Sequence, residues 1–198
     1  MRTTGTRTTL FALTAGLALT LAACGGSDST TAASTPTGTA SSAQTVDGIS
    51  TAHNDSDIMF VNDMHPHHQG AVAMAELAPT RAGSQQVKDL AARIATAQGP
   101  EMARMEAMAK AWGVELGAGG HGSGTEMGGD AAMLQTLSGA DFDRQFLTMM
   151  TAHHEGALPM ARTEVAGGSN PQAKALAQEI FDVQQAEIAE MKQLATQV

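Results

Sequence analysis

Two adjacent histidine pairs, His67-His68 and His153-His154, are the residues of this chain best suited to chemistry. A neutral imidazole is a transition-metal ligand, and a buried ring needs a partner for each nitrogen, which a metal plus one hydrogen bond supplies. Methionines Met64 and Met150 stand three residues before the pairs. Thioether sulfur is a soft ligand that favours Cu(I), so histidine with methionine points to copper over Mg, Ca or Zn. Further along, Gln98 with Glu101 and Gln184 with Glu187 place polar residues on stripes that are otherwise apolar, followed in each case by a methionine, Met105 or Met191. A buried carboxylate is costly unless paired or metal-bound, so Glu101 and Glu187 are expected to face the histidines as hydrogen-bond partners or ligands. A lone core histidine is commonly structural, and methionine is also a flexible core filler. What favours a site is that the whole set occurs twice.

It occurs twice because the chain repeats itself. Residues 57–105 laid on 143–191 at a constant offset of 86 need no gap and agree at 18 of 49 positions. Asp57, Phe60, Met64, His67, His68, Gly70 and Ala71 fall on Asp143, Phe146, Met150, His153, His154, Gly156 and Ala157. Agreement of this kind implies an internal duplication. In each half Phe60, Met64, His67, Ala71 and Met74, or Phe146, Met150, His153, Ala157 and Met160, step by four and three along one helix face. A second stripe runs through Val87, Ile94, Gln98, Glu101 and Met105, and through Leu176, Ile180, Gln184, Glu187 and Met191.

The spacing predicts helices near 55–79, 84–112, 140–166 and 170–196, with Asn54 or Asp55, Ser84, Ser138 and Ser169 as N-caps and Asn170-Pro171 opening the last. Four amphipathic helices in two hairpins make an all-α four-helix bundle. Pro66 and Pro159 fall inside helices, which then kink, or the first begins later. The glycines Gly70 and Gly156 would let a neighbouring helix approach closely. At about 1.5 Å per residue, His67 lies about 18 Å from the first interhelix turn and Gln98 about 21 Å, so they meet at similar height. In a twofold bundle His67 and His153 approach each other across the axis. Binding by these rings should weaken as pH falls through about 6.5.

The remaining segments set the context. Residues 1–23 carry Arg2 and Arg7, an apolar run from Leu10 to Leu21 that is short for a membrane span, and then Leu21-Ala22-Ala23-Cys24. This reads as a cleavable export signal, and its end resembles the lipobox of bacterial lipoproteins, with Cys24 the acylated residue and the membrane the partner. Cys24 is the single cysteine, which excludes an intrachain disulfide and a multi-thiolate metal site. Residues 24–52, rich in Ser, Thr, Ala and Gly, read as a flexible tether. The bundle domain then spans 53–198, with repeats at 55–112 and 140–198. Between them lies a glycine-rich crossover, 113–139, with a short helix near 130–137 and a weak accessory pair, His121 and Met127. The formal charge of -9 argues against a nucleic-acid partner, which would need a basic face. A homo-oligomer or a metal-delivery partner is compatible with this organisation.

The run from Asp57-Ile-Met-Phe to Met64-His-Pro-His-His-Gln-Gly-Ala-Val-Ala-Met-Ala75 and its counterpart Asp141-Phe-Asp-Arg-Gln-Phe to Met150-Thr-Ala-His-His-Glu-Gly-Ala157 are each followed by Gln-x-x-Glu-hydrophobic-x-x-Met. Over roughly 55–197 they resemble the bacterial domain-of-unknown-function family 305. The resemblance implies a ferritin-like fold, and an association of some members with extracytoplasmic copper binding and tolerance. The leading expectation is an exported copper-sequestering or delivery module without turnover. A ferritin-like di-metal oxidase would need Glu-x-x-His on two helices, which does not occur, and Glu76 and Glu164 lie off the stripes. A metal-free surface interaction bundle is the other reading.

Overall fold

The computed structural model describes residues 44–117 and 124–198. The signal, Cys24, the first part of the tether and His121 lie outside the described residues, as does the side chain of Met127. Two short strands, β1 (Thr45–Val46) and β2 (Ile49–Ser50), precede six helices: α1 (Asp55–Ala75), α2 (Ala78–Arg81), α3 (Gln85–Trp112), α4 (Gly124–Leu134), α5 (Gly139–Gly167) and α6 (Pro171–Leu194). The four long helices form the all-α bundle. Among the described residues no helix is long and apolar enough to cross a membrane.

Side-chain pairs give the helix directions. His65 meets Glu106 and His68 meets Glu101, so α1 and α3 run antiparallel. His154 with Glu187 and Arg162 stacked over the Phe181 ring at 4.9 Å show the same for α5 and α6. Between hairpins, Ser56 reaches Glu164, while Arg93 pairs with Glu190 at 2.5 Å and Arg104 with Glu179 at 2.6 Å. Adding the repeat offset to one partner and subtracting it from the other turns the position pair 93·190 into 179·104. The two hairpins therefore meet around an approximate twofold axis, as the duplication implies.

Helix ends follow local chemistry. Asn54 caps α1 in a capping box: its side chain accepts from the Asp57 amide, and Asp57 accepts from the Asn54 amide at 2.7 Å. Asn170 rather than Ser169 caps α6, with Pro171 at the first helical position. Ser84 and Ser138 occupy the cap positions of α3 and α5 without side-chain capping bonds. At α3 Asp143 of the other hairpin accepts from the Gly83 and Ser84 amides at 3.1 and 2.8 Å. Its repeat mate Asp57 does the same for Ser169 and Asn170 at 3.2 and 3.0 Å. Each hairpin thus caps the second helix of the other.

Several boundaries differ from the sequence expectation. The first helix ends at Ala75, and Pro79 serves instead as an early residue of the separate turn α2. Pro66 and Pro159 are carried inside α1 and α5, so α1 does not begin later. The crossover helix starts at Gly124, not near 130. Residues 44–52 are not a loose tether end: Asp47 and Gly48, with φ of 51° and 83°, make the tight turn of a hairpin. Its strand β2 is fixed by Trp112 Nε1 and Asn170 Nδ2 donating to the Ser50 carbonyl.

The core has two apolar clusters. One gathers Phe60, Met64, Met105, Ala157, Leu176 and Ile180; the other gathers Met74, Leu90, Ile94, Phe146, Met150 and Met191. Between them along the helices runs a layer of buried His, Gln and Glu.

Candidate metal centre

The polar layer assembles because the two stripes of each hairpin bring their polar residues to one height. His68 Nε2 lies 2.7 Å from Glu101 Oε2, and His154 Nε2 lies 2.8 Å from Glu187 Oε2. His67 and His153 meet across the axis with ring centroids 3.7 Å apart and planes inclined by 40°. A Cβ at Gly156 would sit 3.5 Å from His67 Nε2, an ordinary contact, so glycine leaves that side of the ring open. Met64, Met150, Met105 and Met191 are fully buried, Met64 and Met105 in one apolar cluster and Met150 and Met191 in the other. Gln98 and Gln184 are buried at the same level, yet Gln98 Oε1 and both amide atoms of Gln184 have no hydrogen-bond partner.

The imidazoles are under-satisfied. His67 Nδ1, His68 Nδ1, His154 Nδ1 and both nitrogens of His153 are buried without a hydrogen-bond partner. Leaving such atoms unpaired costs roughly 1–3 kcal/mol each, which a ligand would offset. Burial, and then the neighbouring rings of His68 and His154, push His67 down from 6.5 to about 3. Burial and the rings of His67, His154 and His68 push His153 down to about 2. Both rings are neutral through the physiological range, so protons compete with a metal far below the pH 6.5 expected from the sequence. Among the described residues no three His, Cys, Asp or Glu side chains converge as a ready-made metal site.

Two features were not legible as site residues. His65, with Nε2 3.0 Å from Glu106 Oε1, has Thr151 as its repeat mate and so left no trace in the repeat comparison. Glu164, expected off the stripe, is fully buried beside Asp57, because the start of α1 and the turn into α6 close over the end of α5. Its Oε2 accepts from Ser56 Oγ at 3.1 Å, and its Oε1 lies so close to Gly168 that a Cβ there would sit 2.0 Å away. Burial, and then the adjoining Asp57 carboxylate, raise Glu164 from 4.5 to about 8. For Asp57 burial works in the same direction but is outweighed by hydrogen bonds from Glu164, Asn54, Asn170 and Ser169, which hold it below 3.8.

These shifts fix the pH profile of the metal-free fold. Between about pH 6.5 and 8 the folded state keeps a Glu164 proton that the unfolded chain has lost, so stability falls as pH rises. Below 6.5 the unfolded chain protonates two histidines that stay neutral when folded, so stability falls as pH drops. Thermal melts are expected to peak near pH 6.5, and Glu164→Gln is expected to flatten the alkaline limb and to steepen the acid limb above about pH 4.5, where the Glu164 proton otherwise opposes the histidines. An unchanged alkaline limb in that variant would show that Glu164 is ionised in the fold.

Residues 57–195 match the family described as Domain of unknown function (DUF305). The chain belongs to the DUF305 family. A DUF305 fragment from Deinococcus radiodurans is 29% identical, with a TM-score of 0.65 over 73% of this chain and 98% of the fragment. The Cu(II)-bound form of CopM is 32% identical, with a TM-score of 0.62 over 71% of this chain and 96% of CopM. The Cu(I)-bound form is 30% identical, with a TM-score of 0.63 over 71% and 96%. No curated protein matches the chain. DUF305 membership accords with the all-α bundle, and solved structures of the family hold the same arrangement of helices.

Proposed function

We propose that this DUF305 protein is an exported, lipid-anchored copper-binding bundle that sequesters copper or hands it on. The reading is carried by the unpartnered imidazole nitrogens of the polar layer. Glu101 and Glu187 engage Nε2 of His68 and His154, which fixes the free lone pairs on Nδ1, the arrangement by which a carboxylate orients a metal-binding histidine. With no third His, Cys, Asp or Glu converging among the described residues, the donor set is completed by the thioethers of Met64 and Met150 one turn away, and that set suits Cu(I). Met105 and Met191, with Gln98 and Gln184, are further donors at the edge of the same layer. Similarity to CopM in its copper-bound forms supports the choice of metal.

At 3.7 Å the His67 and His153 rings are in contact. A metal–nitrogen bond of about 2 Å on each side does not fit between them, so uptake turns the rings apart. The full chain, purified without added metal and titrated with Cu(I), Cu(II), Zn(II) and Fe(II), is expected to bind Cu(I) most tightly. Absence of copper binding would overturn the reading. Export and anchoring rest on residues 1–24 of the sequence. Cys24→Ala is expected to release the protein or block its processing, and an unmodified Cys24 on mature protein would remove the anchor.

A further inference from the structure

A cavity of about 340 Å³ lies between the N-terminal half of α1 and the C-terminal half of α5, walled by Phe60, Met59 and Met160 among others. Exchanging the two repeats maps it onto the groove between the end of α1 and the start of α5. That second groove is full. Helix α4 packs against α1 and α5 there, with Leu134 fully buried in the cluster of Met74, Ala78, Phe142 and Phe146. Gln145 Nε2 reaches the Met133 sulfur at 3.7 Å.

The cavity remains open, and the repeats differ accordingly. Ser56 stands where the filled groove has Phe142, Asp63 where it has Met149, Thr163 where it has Leu77, and Glu164 where it has Ala78. Four apolar positions have become oxygen-bearing, as befits a wetted groove. Sulfur is redistributed without net gain: the filled groove has Met74 and Met149 among the equivalent positions, and the cavity has Met160 and Met59. Met160 is kept in place of the buried Met74, and Met59, 57% exposed, replaces a glutamine. Two thioethers from facing helices, accessible to solvent and accompanied by a carboxylate, are donors for a soft cation. Phe60 lines the cavity and belongs to the same apolar cluster as Met64, the methionine that precedes His67 along α1.

We propose that this cavity is a second metal site, which takes a soft monovalent cation such as Cu(I) through Met59 and Met160 with Asp63 balancing the charge, and serves as the receiving station for the polar layer. The cation's identity rests on the proposed function, whereas the site's occupancy does not depend on His67 or His153.

The test uses the full chain with ¹³C-methyl methionine, titrated with Ag(I). Loss of single resonances in Met59→Leu and Met160→Leu assigns the two methyl groups; leucine is close to methionine in volume and Met59 is exposed, so folding is retained. Both methyls are expected to shift on adding Ag(I) and not on adding Zn(II). The double leucine variant is expected to bind one equivalent less, and Asp63→Asn to weaken the site about tenfold. The His67→Ala/His153→Ala protein is expected to keep these methyl shifts, which separates failure of this site from failure of the polar layer. Unmoved Met59 and Met160 methyls, or an unchanged number of bound Ag(I) in the double leucine variant, would overturn the proposal.

Discussion

Replacing His67 and His153 together with alanine is expected to abolish tight copper binding while leaving helicity nearly intact. The two rings meet across the axis, and three of their nitrogens are buried without a partner. Removing them takes away both central donors but also relieves unsatisfied polar atoms, so the cavity cost of truncation is largely offset and net stability changes by about 1–2 kcal/mol. Loss of two ligands should weaken Cu(I) by at least about 100-fold, about 2.7 kcal/mol. A chromophoric Cu(I) chelator in competition reads the affinity, and far-UV circular dichroism the helicity. Because burial holds these rings near pKa 3 and 2, the parent should retain copper well below pH 6.5. Undiminished affinity in the double variant would move the site to the methionines or to His121.

The largest effect on stability is expected at Asp57. Its buried carboxylate accepts from the amides of Asn54, Ser169 and Asn170 and from Ser169 Oγ, at 2.7 to 3.2 Å. Alanine there leaves those donors unpaired at a point where one hairpin caps the other, a loss of about 3–5 kcal/mol. At about 2–4 °C per kcal/mol for a domain of this size, the melting temperature should fall by about 10 °C. Among the described residues Asp143 accepts from the Gly83 and Ser84 amides alone, so Asp143→Ala should cost about half as much. Equal melting of both variants and the parent would show that the cross-hairpin caps carry no net stability.

The sequence made the bundle legible because Phe60, Met64, His67 and Ala71, and their mates, hold a helical period that the duplication repeats. It placed Glu101 and Glu187 beside the histidines because helix rise alone equalises their heights. Glu164 escaped that reasoning: a stripe measures the face a helix turns to its own hairpin, whereas Glu164 is covered by the start of α1 and the turn into α6, contacts set by the twofold packing. The Asp47-Gly48 hairpin was hidden in a segment whose composition is that of a tether, although Ile49 packs against the core. The start of α4 was missed because Gly128 and Gly129 disfavour helix in isolation, whereas the helix as a whole is anchored on α1 and α5 through Leu134. The depressed pKa of His67 and His153 follows from burial and from the presence of four imidazoles together, which no single helix reveals.

The ion pairs between α3 and α6 record how the halves came to differ. Position 93 of one repeat faces position 190, the mate of 104, and the first repeat has arginine at both sites while the second has glutamate at both. Two identical hairpins meeting as a homodimer would set arginine against arginine, or glutamate against glutamate. This charge division belongs to two copies already joined and diverging under different constraints. Each exposed pair contributes only about 0–1 kcal/mol, so its main consequence is discrimination: it rejects a like half more than it holds an unlike one. The chain is in this sense a fused heterodimer, with an electrostatic key that tells its first half from its second.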